Sequence, residues 1–474
     1  MGVMRQFKLW VKLWEFCLVL AISCLLLGMS ARASTTLINS LEGNVGLDAT
    51  GYLISVPSRQ RDFFSSVNAD LKTSSTGQTM NAAFEGNFMT TLGCSACTLF
   101  DARQGYLGTS PQLSSEHQVR VGRVLKTGDE SWNRLDEEWA LGLWQPRFRW
   151  DYLNPGLVGL AGVFYDFQQP QFQLTVFATP GFIPDRGVPY DIQDGNVNSP
   201  NPWFYAPNPQ VTLMDVNTHV HYNVDGPHVG QILNHQGGGL RGRLGAQDVT
   251  KDGFWVSGAY AYKPVNQILL GYVADYSLPH DQVEVTLYPR VVYHHIGSLD
   301  FGVKAKPASA WLSFLYESPV RDSTPANWTT QELAPSFAIS PTVDYQLGSS
   351  ERYSPHLDFS LIRQWGGNAD DQGPQKTSGA SAFEVRYPYQ SALKAGVHGP
   401  LPGSLGRQLK GDTHVIYDIG HEGMIISAAL EYAPRRDWSL GIGADILGSA
   451  QEGQDFIGRY QHNDRVHGGV TYAF

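Results

Sequence analysis

His219 and His221 stand two residues apart, with Asp215 shortly before them. On an extended chain, side chains at i and i+2 share a face, so the three have the geometry of a partial metal site. No third histidine or cysteine stands at a spacing that completes it, and the adjacent His294 and His295 point to opposite faces. No metal or other cofactor is therefore expected. A second pair is Cys94-Ser95-Ala96-Cys97. In an oxidising compartment it would close a small loop disulfide, with free thiols as the alternative. A thioredoxin-like site would need a surrounding βαβ pattern, and a c-type haem would need histidine where Thr98 stands. A Gly-x-Ser-x-Gly elbow between a strand and a helix is also missing, so no catalytic residue is assigned and no enzyme is expected.

Two irregular stretches carry the other candidate chemistry. Between Gly128 and Pro155 lie Trp132, Arg134, Asp136, Glu137, Glu138, Trp139, Trp144, Arg147 and Trp150. Aromatic faces beside carboxylates and guanidinium groups suit sugars, whose hydroxyls take charge-assisted hydrogen bonds. The same residues also suit plain structural packing and ion pairs. The longest non-strand stretch, 181–209, holds six prolines with Tyr190, Trp203, Phe204 and Tyr205. Such proline density excludes a central strand, and a loop this long is usually functional or disordered.

The elements that must position these residues are strands. Alternation of apolar and polar residues marks a half-buried strand. Val67, Ala69 and Leu71 oppose Asn68, Asp70 and Lys72. Val283, Val285 and Leu287 oppose Glu284, Thr286 and Arg290, and Met214, Val216, Val220 and Tyr222 oppose Asp215, His219 and His221. Ala308 to Tyr316, Met424 to Tyr432 and Trp438 to Ile446 repeat the pattern. About 18 such strands are expected between Val45 and Phe474, with 16 to 20 as the range; each has roughly the 9–11 residues that span a membrane. No helix of useful length is expected between them, and no repeating unit of a propeller or solenoid is visible.

Both ends of the chain point the same way. Arg5, Lys8 and Lys12 precede the apolar run Phe16 to Met29, and Ala31-Arg32-Ala33 is a small-x-small cleavage site. Residues 1–33 read as a secretory signal peptide, which leaves 34–474 as one domain. After Ser34 no long apolar run follows, although 42% of the residues are hydrophobic and only 16% are charged. An exported chain with no spanning helix crosses a membrane only as a closed barrel, because every backbone polar group must be bonded within the protein. The net charge of −10 gives no basis for a nucleic-acid partner.

The last residues alternate as well. Val466, Gly468, Val470, Tyr472 and Phe474 share one face; Arg465, His467, Gly469 and Thr471 share the other. With the signal peptide and the strand pattern, this terminal strand resembles that of Gram-negative outer-membrane β-barrels of the porin type. Val119-Arg120-Val121-Gly122-Arg123 is similar to a porin strand after which the chain turns into the lumen, although Val124 replaces the usual glutamine.

The resemblance implies an all-β transmembrane antiparallel barrel whose last strand closes on a first strand near Val45 to Leu53. It implies export to the outer membrane by a Sec-type route, contact with outer-membrane lipid and lipopolysaccharide, and recognition of Phe474 by the barrel assembly machinery. It implies passive diffusion of small polar solutes, sugars among them. An exopolysaccharide export channel and a barrel enzyme are the alternatives, and an oligomer is compatible with it. Polar faces then point inward, which makes Arg120, Asp215, His219, His221, Arg241, Arg243, Glu284, Arg290, Lys304, Lys306, Glu384 and Arg386 candidates for the lumen wall. Trp132, Arg134, Asp136, Trp139, Trp144, Arg147, Trp150, Trp203 and Tyr205 become candidates for a constriction or for sugar contact.

Overall fold

The computed structural model describes residues 40–54, 62–92, 98–143, 151–153, 156–185, 190–204, 206–245, 252–348, 354–367, 369–372, 387–401, 408–451, 453 and 455–474. Residues 1–33, Cys94 and Cys97, Trp144, Arg147, Trp150, Tyr205, Glu384 and Arg386 lie outside them.

Eighteen strands form one sheet. They are β1 (Ser40–Tyr52), β2 (Phe63–Thr76), β3 (Met80–Thr91), β4 (Thr98–Thr109), β5 (His117–Val124), β6 (Leu160–Gln169), β7 (Phe172–Thr179), β8 (Gly237–Gly245) and β9 (Gly253–Pro264). The second half is β10 (Tyr293–Ala305), β11 (Ala308–Pro319), β12 (Ser336–Gln346), β13 (His356–Gly366), β14 (Ser391–Pro400), β15 (Leu409–Asp418), β16 (Gly423–Arg435), β17 (Trp438–Ser449) and β18 (Arg465–Ala473). Each strand pairs antiparallel with its neighbours in this order, and β18 returns to β1, with Asn44 opposite Ala473 and Tyr52 opposite Arg465. The ring is closed, so the sheet has no open edge. Closure joins the terminal strand to the segment near Val45 to Leu53, as the resemblance implies.

The wall sorts its side chains as a membrane barrel must. Leu47, Val470, Leu440, Ile442, Leu430, Phe359, Val343 and Phe301 lie exposed on the outer face. Aromatic residues mark both rims of this apolar band. Tyr262, Tyr316, Phe337 and Trp365 lie at one rim, and Tyr345, Tyr432, Trp438, Tyr472 and Phe474 at the other. Inward positions alternate with these; they are mostly polar or small toward the short-turn end and include large apolar side chains such as Phe164, Leu315 and Ile425 toward the other. Gly302 is one of the small ones, because the Trp255 indole lies where a Cβ at that position would stand. No described helix is long and apolar enough to cross a membrane.

The two ends of the barrel differ. The longest connections, among them 125–159, 180–236, 265–292 and 450–464, all join odd to even strands, whereas the tightest even-to-odd turns are 170–171, 306–307 and 436–437. Long connections therefore gather at one mouth.

Above that mouth stands a second sheet of six strands, in the order Gln210–Leu213, Val216–Val224, Gln282–Arg290, Leu269–Ser277, Thr329–Leu333 and Ala369–Gln372. Two of these segments, 214–222 and 282–291, alternate as barrel strands are expected to, and here the expectation fails. Val216–Val224 runs parallel to Gln282–Arg290, an arrangement foreign to the barrel wall. The pattern misled because alternation reports one-sided burial and nothing more. Val220, Val283, Val285, Leu287 and Tyr272 bury their shared face in a small core of their own.

Candidate functional site

The barrel interior is filled unevenly. Along β16, Gly423, Ile425 and Ser427 are buried, Ala429 is half-buried and Glu431 is exposed. Along β15 the order from the long-loop mouth is Asp418 buried, Ile416 and His414 half-buried, Asp412 exposed. Inward residues of β2 follow the same course from buried Phe64 to exposed Lys72. The lumen is thus open to solvent at the short-turn end and packed toward the long-loop end.

What packs it is the chain between β5 and β6. After Val124 it makes a 3-10 turn at Gly128–Glu130 and a one-turn helix at Leu135–Glu138. Trp132, Leu135, Trp139, Leu141 and Leu143 bury against Phe164 and Phe177 of β6 and β7 and against Ala261, Ile296, Leu315, Ala338 and Ile362 of β9 to β13. These wall residues face inward, so the segment crosses the lumen. Polar bonds fix its far end. The Trp139 indole N–H donates to Ser340 Oγ at 3.1 Å and Ser360 Oγ at 2.9 Å. Glu138 accepts from Thr342 Oγ1 at 2.6 Å and from the Trp311 indole N–H. Burial pushes the Glu138 carboxyl up to about 7, against the lowering effect of those two donors.

Charged groups ring the near end. Lys126 and Arg120 both pair with Asp166, at 2.5 Å and 3.3 Å, and Thr175 Oγ1 donates to the same carboxylate at 2.6 Å. Glu130 lies 3.7 Å from Lys126. The Arg134 guanidinium stacks over Trp255 and Trp311 at 5.5 Å and 5.2 Å, and Arg243 over Trp255 at 4.9 Å. Desolvation pushes the Lys126 ammonium down. Arg241 is buried beside Arg243 on β8.

A second packed patch closes the opposite side of the mouth. Trp203, from the long β7–β8 connection, is fully buried among Ile425, Leu447, Phe456, Ile457 and Tyr460. Tyr152 packs edge-on to Trp203 and Phe456. Asp151 accepts from Arg465 at 2.7 Å, and Arg465 also bonds Asp445 at 2.6 Å. Asn463 Nδ2 donates to the Pro202 carbonyl at 2.9 Å. Both long connections therefore end on β16–β18 and the short helix Phe456–Tyr460.

The candidates divide accordingly. Arg120, Arg241, Arg243 and Lys304 are on barrel strands with inward positions. Lys306 is not on the wall, because it stands in the tight β10–β11 turn and is exposed. His219, His221, Glu284 and Arg290 belong to the second sheet and Asp215 to the turn between two of its strands, all outside the lumen wall. Asp215 sits in a turn with φ of 64°, and Arg290 pairs with Asp322 and Glu332. Among the described residues no trio of ligands gathers around His219 and His221.

Trp132, Arg134, Asp136 and Trp139 lie together in the crossing segment, and Asp136 accepts a backbone bond from Asn133. Trp132, Trp139 and Trp203 are 2%, 4% and 0% exposed, so their rings leave no face on which a sugar could stack. The partners that fix the segment, Trp311, Ser340, Thr342 and Ser360, escape the sequence because only strand register brings them opposite Glu138. One signal was present: Trp311 is a large aromatic in the polar half of an otherwise regular alternation.

No protein-family model matches the chain. No curated protein matches it. Among solved structures the chain is similar to OpdQ of Pseudomonas aeruginosa, with 10% identity over 92% of this chain and 99% of that one and a TM-score of 0.46. It is similar to OccK11 (OpdR) of the same organism, with 11% identity over 92% and 95% and a TM-score of 0.44. It is also similar to OmpT, an outer membrane protein of Vibrio cholerae, with 9% identity over 93% and 99% and a TM-score of 0.40. The fold itself is fixed by the closed ring, the apolar outer face and the asymmetric ends. The chain is an 18-stranded transmembrane-type β-barrel.

Proposed function

We propose that the protein is a porin-like channel of the bacterial outer membrane, through which small polar solutes diffuse passively. The observation that carries this reading is the gradient of exposure inside the barrel. A solvent-lined half-lumen leads to a constriction made by the segment 125–143, and charges of both signs surround that constriction. Opposed charges set up a transverse field that orients dipolar solutes, whereas rings of a single sign would select ions. Sugars fit this lining if they are held by Arg134 and the partly exposed Trp311 rather than by the buried tryptophans. Outer-membrane residence rests on the apolar belt and its aromatic rims.

Planar bilayers containing the purified protein test the reading, together with swelling of liposomes in sugar solutions. Stable ohmic openings and swelling by monosaccharides support it. Conductance blocked by long polysaccharides favours polymer export. Absent conductance with lipid or peptide hydrolysis replaces the channel with a barrel enzyme.

A further inference from the structure

Asp418, His421 and Asp455 come together at the long-loop mouth, from the end of β15, the β15–β16 turn and the β17–β18 connection. A carboxylate oxygen of each aspartate and a ring nitrogen of the histidine lie within 4.8 Å of one another. Asp418 is 0% exposed and Asp455 is 6% exposed. Among the described residues no lysine or arginine pairs with either carboxylate; the only ion pair is His421 Nδ1 to Asp418 Oδ2, at 2.9 Å.

The backbone already occupies the other oxygens. Asp418 Oδ1 accepts from the Gly420 amide at 3.0 Å. Asp455 Oδ1 accepts from the Gly458 amide at 2.9 Å, capping the helix Phe456–Tyr460. Asp455 Oδ2 is buried and has no hydrogen-bond donor. It faces the start of β16, where a Cβ on Gly423 would stand 3.4 Å away. Two buried carboxylates with one orphaned oxygen are costly unless a cation joins them.

We propose that Asp418, His421 and Asp455 bind a divalent cation of borderline softness, of the Zn²⁺ or Co²⁺ kind, at the long-loop mouth of the barrel. The donor set decides the class. An imidazole beside two carboxylates suits these ions, whereas Ca²⁺ and Mg²⁺ take oxygen-only sets. Bonds of about 2.0–2.2 Å hold ligand atoms roughly 3 to 4 Å apart, so a small closure of the partly exposed His421 turn completes the site. The ion would tie the β17–β18 connection to the β15–β16 hairpin. Phe456, Ile457 and Tyr460 on that connection seat Trp203, so the ion would brace the β7–β8 connection at the mouth. The proposal goes beyond the channel reading and does not depend on which solute passes.

The test uses the full-length folded barrel in detergent, stripped with chelator, in a H356Q/H398Q background. Those two substitutions remove His356 and His398, which with Asp344 form, among the described residues, the other compact group of metal donors, on the lumen wall. Titration calorimetry with Zn²⁺ and visible absorption with Co²⁺ are read for the parent, D455N and H421Q. One equivalent bound by the parent, an affinity at least about tenfold weaker in each variant, and a Zn²⁺-dependent rise in Tm confined to the parent support the site. No binding below about 1 mM, or equal affinity in parent and D455N, overturns it. Asn at 455 keeps an N-cap side chain, and circular dichroism of the unliganded variants checks that the barrel has formed.

Discussion

The Thr342 hydroxyl donates a 2.6 Å hydrogen bond to the Glu138 carboxylate, joining a residue of the β5–β6 connection to the inner face of β12. With the Trp139–Ser360 bond beside it, this contact decides how far into the lumen the crossing segment reaches. Removing it should free the segment without opening the barrel, because the backbone pairing of β12 with β11 and β13 does not involve it. In E138A, hydrogen exchange of the peptide covering 125–143 should speed up by about ten- to a hundredfold, as loss of a charged hydrogen bond worth about 1.5–3 kcal/mol implies. Exchange in the wall strands should not change. Unaltered exchange in the peptide would show that the bond does not hold it.

Acidity should act through the same carboxyl. Its folded value of about 7 lies above the ordinary 4.5, so the docked segment binds the proton more tightly than the loosened one. Docking is then most stable below pH 4.5 and loses that contribution as pH rises through 7. Exchange of the 125–143 peptide, corrected for its intrinsic rate, should quicken across that window. E138Q should flatten the dependence; a slope that survives in E138Q would assign it to another group.

Trp203 is the anchor of the second connection. Its ring fills the space among Ile425, Leu447, Phe456 and Tyr460, and truncating a buried tryptophan costs about 3–5 kcal/mol. W203A should leave the barrel folded but expose the 190–204 stretch to protease, with cleavage faster than in the parent by at least an order of magnitude. Equal resistance would mean that the prolines of the connection hold it unaided.

The seam of the barrel offers a stricter test of closure. The Phe474 ring lies over Gly43, 2.5 Å from where a Cβ would stand, and the two residues exchange backbone bonds of 2.9 and 3.0 Å. G43V should lower the temperature at which the barrel unfolds on a gel, and F474A should largely restore it in the double variant. Additive losses would contradict the contact.

Much of this architecture could be read from the chain, and the parts that could not share a cause. Alternation at Val67–Leu71, Trp438–Ile446 and Val466–Phe474 carries the barrel because lipid on one side and water on the other impose a period of two. The same period appears at Val216–Val224 and Gln282–Arg290, where a small protein core replaces lipid, and a single sequence does not distinguish the two environments. The segment after Val124 stood out by composition. Its role as a buried crossing chain, with Trp132 and Trp139 as packing rather than as open rings, depends on partners some two hundred residues away such as Ser340 and Ser360. The Asp418–His421–Asp455 group likewise joins two connections that no local spacing relates.

In the proposed channel, solutes cross the barrel through a lumen narrowed by the segment 125–143. Single-channel recording of the parent beside an E138A/W139A variant puts this to the test. Stable openings are expected in the parent and a larger unitary conductance in the variant, with the barrel intact in both. Silent bilayers, or one conductance shared by parent and variant, would contradict it.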